Sequence, residues 1–134
     1  MRFYYILLMT LFSANFSSCK KSTFTPSSSI IGKWNWVQTQ GGIAGATYTP
    51  SRSGYQMTVE YFADSTYKRY KNNALVDENK FSILKNQPIY SNYKGDILKI
   101  GDFSRSLLIR NDTLYLNDIF ISDGFSDVYV RIYE

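Results

Sequence analysis

The chain's 134 residues suffice for one domain with a sizeable core, and 17% aromatic content, with twelve Tyr and nine Phe, favours pleated strands over helices. The net charge is +4, and Arg2 lies in the leader, so residues from Cys19 onward carry +3; the cations are scattered apart from Lys20-Lys21 and Lys68-Arg69-x-Lys71, which predicts no nucleic-acid partner. With no histidine, one cysteine, and no Gly-x-Ser-x-Gly, phosphate loop or metal-spaced cluster, the sequence points away from an enzyme and implies no metal and no cofactor.

Residues 1–18 read as a signal peptide. Arg2 gives a short positive region, residues 3–16 an apolar run too short to span a bilayer, and Ser17-Ser18 the small residues before cleavage. Cys19 follows directly, and Phe16-Ser17-Ser18-Cys19 resembles the bacterial lipobox, which implies lipid attachment at Cys19 and a membrane partner through that lipid. A lone cysteine excludes an internal disulfide, and an unpaired thiol is a liability in an oxidising compartment. Residues 19–29 form a Ser/Thr-rich tether that lets the domain stand off the membrane. Lys20-Lys21-Ser22 stands where some surface lipoproteins carry an acidic run, and this tilts the expected location toward the periplasmic face of the outer membrane.

Residues 30–134 are the folded domain. Residues 30–42 read as a first strand in which Gly32, Trp34, Trp36 and Gln38 share one face, which the tryptophans make the buried one. Residues 41–54 hold four of the eight glycines and Pro50, and read as a long mobile loop. Then comes a meander of short strands: 55–61 with Tyr55, Met57, Val59 and Tyr61 in phase, 66–71, 74–84 with Phe81 and Ile83 in phase, 87–93 with Pro88 as the least regular, 97–100, 105–110, 113–117 and 127–133. Asn72-Asn73, Lys94-Gly95-Asp96, Gly101-Asp102, Asn111-Asp112 and Asp123-Gly124 punctuate them. Asp112, Asp118, Asp123 and Asp127 sit in or beside these turns and read as local backbone caps rather than as a catalytic pair.

Eight or nine strands joined by tight turns predict an all-β fold: a single up-and-down antiparallel β-barrel with no free edges and a lumen just wide enough for side chains or one small ligand. Gly-x-Trp on the first strand resembles the opening of lipocalin and fatty-acid-binding barrels, and Gly-Lys-Trp-x-Trp-Val…Gly-Gly resembles the lipocalin-like lipoproteins of Bacteroidetes-type bacteria. The last strand, Asp127-Val128-Tyr129-Val130-Arg131-Ile132-Tyr133, resembles the closing strand of that group. The resemblance implies a closed end built from Gly32, Trp34 and Arg131, with the Arg131 guanidinium over the Trp34 indole. Whether Tyr129, Arg131 and Tyr133 or Val128, Val130 and Ile132 face inward is left open by parity.

The resemblance further implies a monomeric, lipid-anchored envelope module holding a small hydrophobic or amphipathic molecule. Strand parity nominates Trp36, two residues toward the open mouth from Trp34, with Met57, Tyr61 and Phe81 as apolar neighbours. The alternative is a structural or interaction lipoprotein whose barrel is filled by its own side chains and whose loops meet a protein or glycan; two indoles, each burying roughly 150 to 250 Å², would occupy much of so small a lumen.

Overall fold

A computed structural model describes residues 29–133; the signal peptide, Cys19 and most of the tether lie outside the described residues. The elements are β1 (Gly32–Gly41), β2 (Ala46–Tyr48), the one-turn helix α1 (Pro50–Ser53), β3 (Met57–Tyr61), β4 (Thr66–Lys71), β5 (Ala74–Tyr90), β6 (Tyr93–Ile100), β7 (Phe103–Arg110), β8 (Thr113–Asp118) and β9 (Phe125–Ile132). Neighbouring strands pair antiparallel in the order β1-β3-β4-β5-β6-β7-β8-β9, and β9 returns to β1. The result is the expected up-and-down barrel, here of eight strands, with β2 added beside the far half of β1.

The turn residues explain the hairpins. Asn72 and Asn73 both take positive φ, 50° and 65°, the combination a two-residue connection needs to match the twist of the β4 and β5 strands. Residues 41–54 differ from a plain loop. Gly41 runs back through β2, and α1 is capped by the Thr49 side chain, opens on Pro50 and stops at Gly54 with φ 72°. Pro50 has no N–H to leave unsatisfied at a first helical position, so a proline that reads as a loop signal here begins a helix.

β5 also corrects the sequence reading. It continues through Lys85 and Pro88 as one 17-residue strand, with register shifts between Leu84 and Gln87 and between Pro88 and Tyr90. These bulges bend the β5–β6 hairpin. On β6, Leu98 belongs to the main core while its neighbour Ile97 packs with Ile89 and Ile119 in a separate cluster. Adjacent strand residues face opposite ways, so the hairpin folds back over the outer wall.

The main core fills the barrel with Ile30, Trp34, Trp36, Val59, Tyr61, Tyr67, Phe81, Leu98, Leu114, Leu116 and Tyr129. Register settles the parity of β9, because Trp34 pairs with Arg131 and Trp36 with Tyr129. Asp127, Tyr129 and Arg131 therefore share the inner face. β1 carries a bulge between Trp36 and Gln38, after which Thr39 rather than Gln38 pairs with Asp127. The one extra residue reverses the inward phase and brings a hydroxyl into the upper lumen.

Candidate functional site

The end of the barrel where β1 begins is closed by the incoming chain. Trp34 is wholly buried, and its Nε1–H donates to the Ile30 carbonyl at 2.8 Å. The Arg131 guanidinium carbon lies 4.1 Å from the centre of the Trp34 ring, and its nitrogens donate to the carbonyls of Ile31, at 2.9 Å, and of Ser29. Gly32 between them has φ 124°, and a Cβ there would come within 3.1 Å of the same guanidinium. Glycine is required on both counts. Gly32, Trp34 and Arg131 thus meet at one end of the barrel.

The opposite end holds a cavity of about 580 Å³, lined among others by Met57, Tyr61, Tyr67, Ile100, Phe103, Leu116, Ile121 and Tyr129. Its volume falls within the range of about 300 to 1,000 Å³ typical of small-molecule sites. Unlike an apolar lumen it contains charges. Arg105 on β7 lies directly across from Asp118 on β8, its Nε 2.9 Å from Asp118 Oδ1, while its NH1 donates to Asp127 Oδ2 and its NH2 to the Phe125 carbonyl at 3.1 Å. Asp127 also accepts from the Thr39 and Tyr129 hydroxyls. Thr39 in turn accepts from Trp36 Nε1 at 2.9 Å. On the other wall Arg69 and Asp77 face each other across β4 and β5 at 3.5 Å.

Burial and charge shape the titration of these groups. Burial raises the Tyr61 and Tyr129 phenols well above the ordinary tyrosine value and pushes Tyr67 up to about 12, with Asp127 adding in the same direction for all three. Burial acts to lower the Arg105 guanidinium, but the Asp127 and Asp118 carboxylates beside it leave it raised on balance. The three phenols of the site are therefore neutral at any ordinary pH, and Arg105 stays charged among them.

The four residues nominated for ligand contact separate. Met57 and Tyr61 line the open-end cavity. Trp36 lies farther along β1 than Trp34, as strand geometry requires, but it is 2% exposed, stacked on Tyr55 with ring centres 5.7 Å apart, and absent from the cavity wall. The bulge after Trp36 and the cover of Tyr55 turn the indole into core. Phe81 meets Tyr61 edge-on at 5.1 Å and lines a different cleft, of about 630 Å³, beside Ile30, Ile83, Leu107 and Ile109. The two rings divide the lumen. That larger cleft runs out to half-exposed Ile31 and Leu108 and holds no buried polar group without a partner, so it is the weaker candidate for a specific site.

Sequence reasoning missed Arg69, Asp77, Arg105, Asp118 and Asp127. Asp118 and Asp127 read as turn caps, yet both project inward and hold Arg105. A signal was present: Arg105 is in phase with the apolar Leu107 and Ile109, Arg69 with Tyr67, and Asp127 with Tyr129, so each charge occupies the apolar phase of its strand. Asp112 and Asp123 remain at turns, where their carbonyls accept from Arg131 and Gly42. Among the described residues no group of acidic, histidine or cysteine side chains is placed to hold a metal ion, and no helix is long and apolar enough to cross a membrane. Compared with known proteins, no family model, no curated protein and no solved structure matches the chain.

Proposed function

We propose that the protein is a lipid-anchored envelope module, facing the periplasm from the outer membrane, whose barrel binds a small amphipathic molecule in its open end. The observation that carries the reading is the 580 Å³ cavity, apolar where Met57, Ile100, Phe103 and Ile121 line it and ionic where Arg69, Asp77 and Arg105 do. Such a lining suits a ligand with one apolar and one polar part better than a plain hydrocarbon. The anchor rests on Phe16-Ser17-Ser18-Cys19, and metabolic labelling with a fatty acid tests it: wild type takes up label and Cys19→Ser does not. For the ligand, an environment-sensitive amphiphilic fluorophore titrated into the full chain should show saturable binding, and Ile100→Trp, which fills the cavity, should abolish it while the circular dichroism stays unchanged. A flat titration with folded wild-type protein would overturn the binding reading.

A second reading, an interaction lipoprotein, is favoured by the apolar side chains the protein exposes. Ile43 is 94% exposed, Phe103 80% and Phe120 72%, all in or beside inter-strand turns. Phe120 also meets half-exposed Tyr90 edge-on at 6.5 Å, and apolar side chains gathered at the surface in this way can serve a partner.

A further inference from the structure

The polar groups of the open-end cavity are unevenly satisfied, and the imbalance bears on the chemistry of the ligand. Three of the four carboxylates are engaged. Asp127 takes hydrogen bonds from Thr39, Arg105 and Tyr129; Asp118 accepts from the Phe125 N–H at 2.9 Å and faces Arg105; Asp77 accepts from Asn79 at 2.9 Å and faces Arg69. Donors are left over. The Tyr61 hydroxyl, on a side chain only 1% exposed, has no hydrogen-bond partner among the described residues, and neither does the buried Nε of Arg69, whose guanidinium has only the 3.5 Å contact with Asp77. Tyr61 pairs across the ladder with Tyr67, and Tyr67 lies two residues from Arg69 on the same face, so these groups line one wall of the cavity.

Resting on the binding reading above, we propose that the ligand presents a hydrogen-bond acceptor, a carbonyl or single carboxylate, to Arg69 and the Tyr61 hydroxyl, with its apolar part toward Met57, Ile100 and Ile121. Two physical rules compete here. Asp77, Asp102, Asp118 and Asp127 outnumber Arg69 and Arg105, so the summed field favours a cationic head group and opposes a multiply charged anion. A cation, however, would meet three carboxylates that already have partners, with only the exposed Asp102 at the rim left to it, and would leave the buried donors unsatisfied, whereas an acceptor would satisfy them. Buried donors without partners are the costlier defect, and a neutral carbonyl or a monoanion answers them without adding a second negative charge.

The test compares three amphiphiles of equal chain length, a carboxylic acid, its methyl ester and the primary amine, as competitors of the bound fluorophore on the full chain. The acid or the ester should bind about tenfold tighter than the amine. Arg69→Met, at a side chain 41% exposed, and Tyr61→Phe, which keeps the ring, should each reduce that preference about tenfold while leaving the unfolding temperature close to wild type. Equal or tighter binding of the amine, or a preference that both variants leave intact, would overturn the acceptor assignment while the binding module stood. Failure of all three together with a flat fluorophore titration would instead sink the binding reading itself.

Discussion

The two ends of the barrel solve the same packing problem with opposite chemistry. At the closed end one cation, Arg131, lies on an indole and donates to backbone carbonyls, so its charge meets a π-face and peptide dipoles. At the open end Arg105 meets two carboxylates whose side chains are 24% and 15% exposed. The first arrangement needs only that the chain cross the barrel end, and it leaves the indole wholly buried, while the 630 Å³ cleft opens beside the incoming residues Ser29, Ile30 and Ile31. The second holds three ionised groups in place by mutual contact, and such a network fixes geometry more than it adds stability, because desolvating the ions offsets most of their attraction. A closed, apolar end suits a structural role, and an ordered, polar, partly open end suits recognition.

The largest expected effect lies at the closed end. Trp34→Ala removes a wholly buried indole and should lower stability by about 3 to 5 kcal/mol in denaturant unfolding. A loss under about 1 kcal/mol would mean that this end is not the structural anchor. At the open end Arg105→Met should cost about 2 to 4 kcal/mol, because Asp118 and Asp127 are left facing each other without their cation. Pairing it with Asp118→Asn and Asp127→Asn should recover a part of that loss. If the triple variant is no better than the single one, the network contributes more than mutual compensation.

Alkali tests the open end in another way. Tyr67 ionises near 12 when folded and near 10.0 when unfolded, and Tyr61 and Tyr129 are also raised. The unfolded chain therefore loses these protons first. Their contribution is fully present below pH 10 and disappears as pH rises through the folded values, about 2 to 3 kcal/mol for Tyr67 alone. Tyrosinate absorbance should show a late fraction that appears together with unfolding. Early, independent titration of every tyrosine would contradict the buried cluster. The smallest effect is expected from Arg131→Ala, at about 0.5 to 2 kcal/mol, with Arg131→Lys recovering little, since a lysine cannot both lie flat on the indole and donate to two carbonyls. Full recovery by lysine would reduce the clamp to simple charge.

Why one end was readable and the other was not follows from how far apart the informative residues lie. Strands, hairpin turns and the Trp face are local patterns, and Trp34, Gly32 and Arg131 were found because a spaced motif marks each terminus of the domain. The polar network had no such local signature. Asp118 stands at the end of a strand and Asp127 shortly after a Gly turn, where carboxylates normally cap backbone, and only the β7–β8 pairing and the bulge in β1 bring them to Arg105 and Thr39. Parity failed at β9 for a similar reason: Val128, Val130 and Ile132 are as apolar as the Tyr129 row, and the choice is made by register against Trp34 and Trp36 rather than by β9 itself. Trp36 was misjudged because a bulge and a covering Tyr55 lie beyond what a period of two can express.

The pairing of β1 with β9 has a kinetic consequence. Arg131 and the Ile31 carbonyl that it binds are 100 residues apart in sequence, and Thr39 and Asp127 are 88 apart. Every other barrel ladder joins consecutive strands of the meander, so most of the sheet can assemble from local hairpins while its two margins remain separate. Closure must then overcome the loop entropy of nearly the whole domain in one step, which places folding in the slow, millisecond-to-second class of non-local β topologies. During synthesis the first strand, with both indoles, can pair with β3 early, but its other edge stays open until β9 is made.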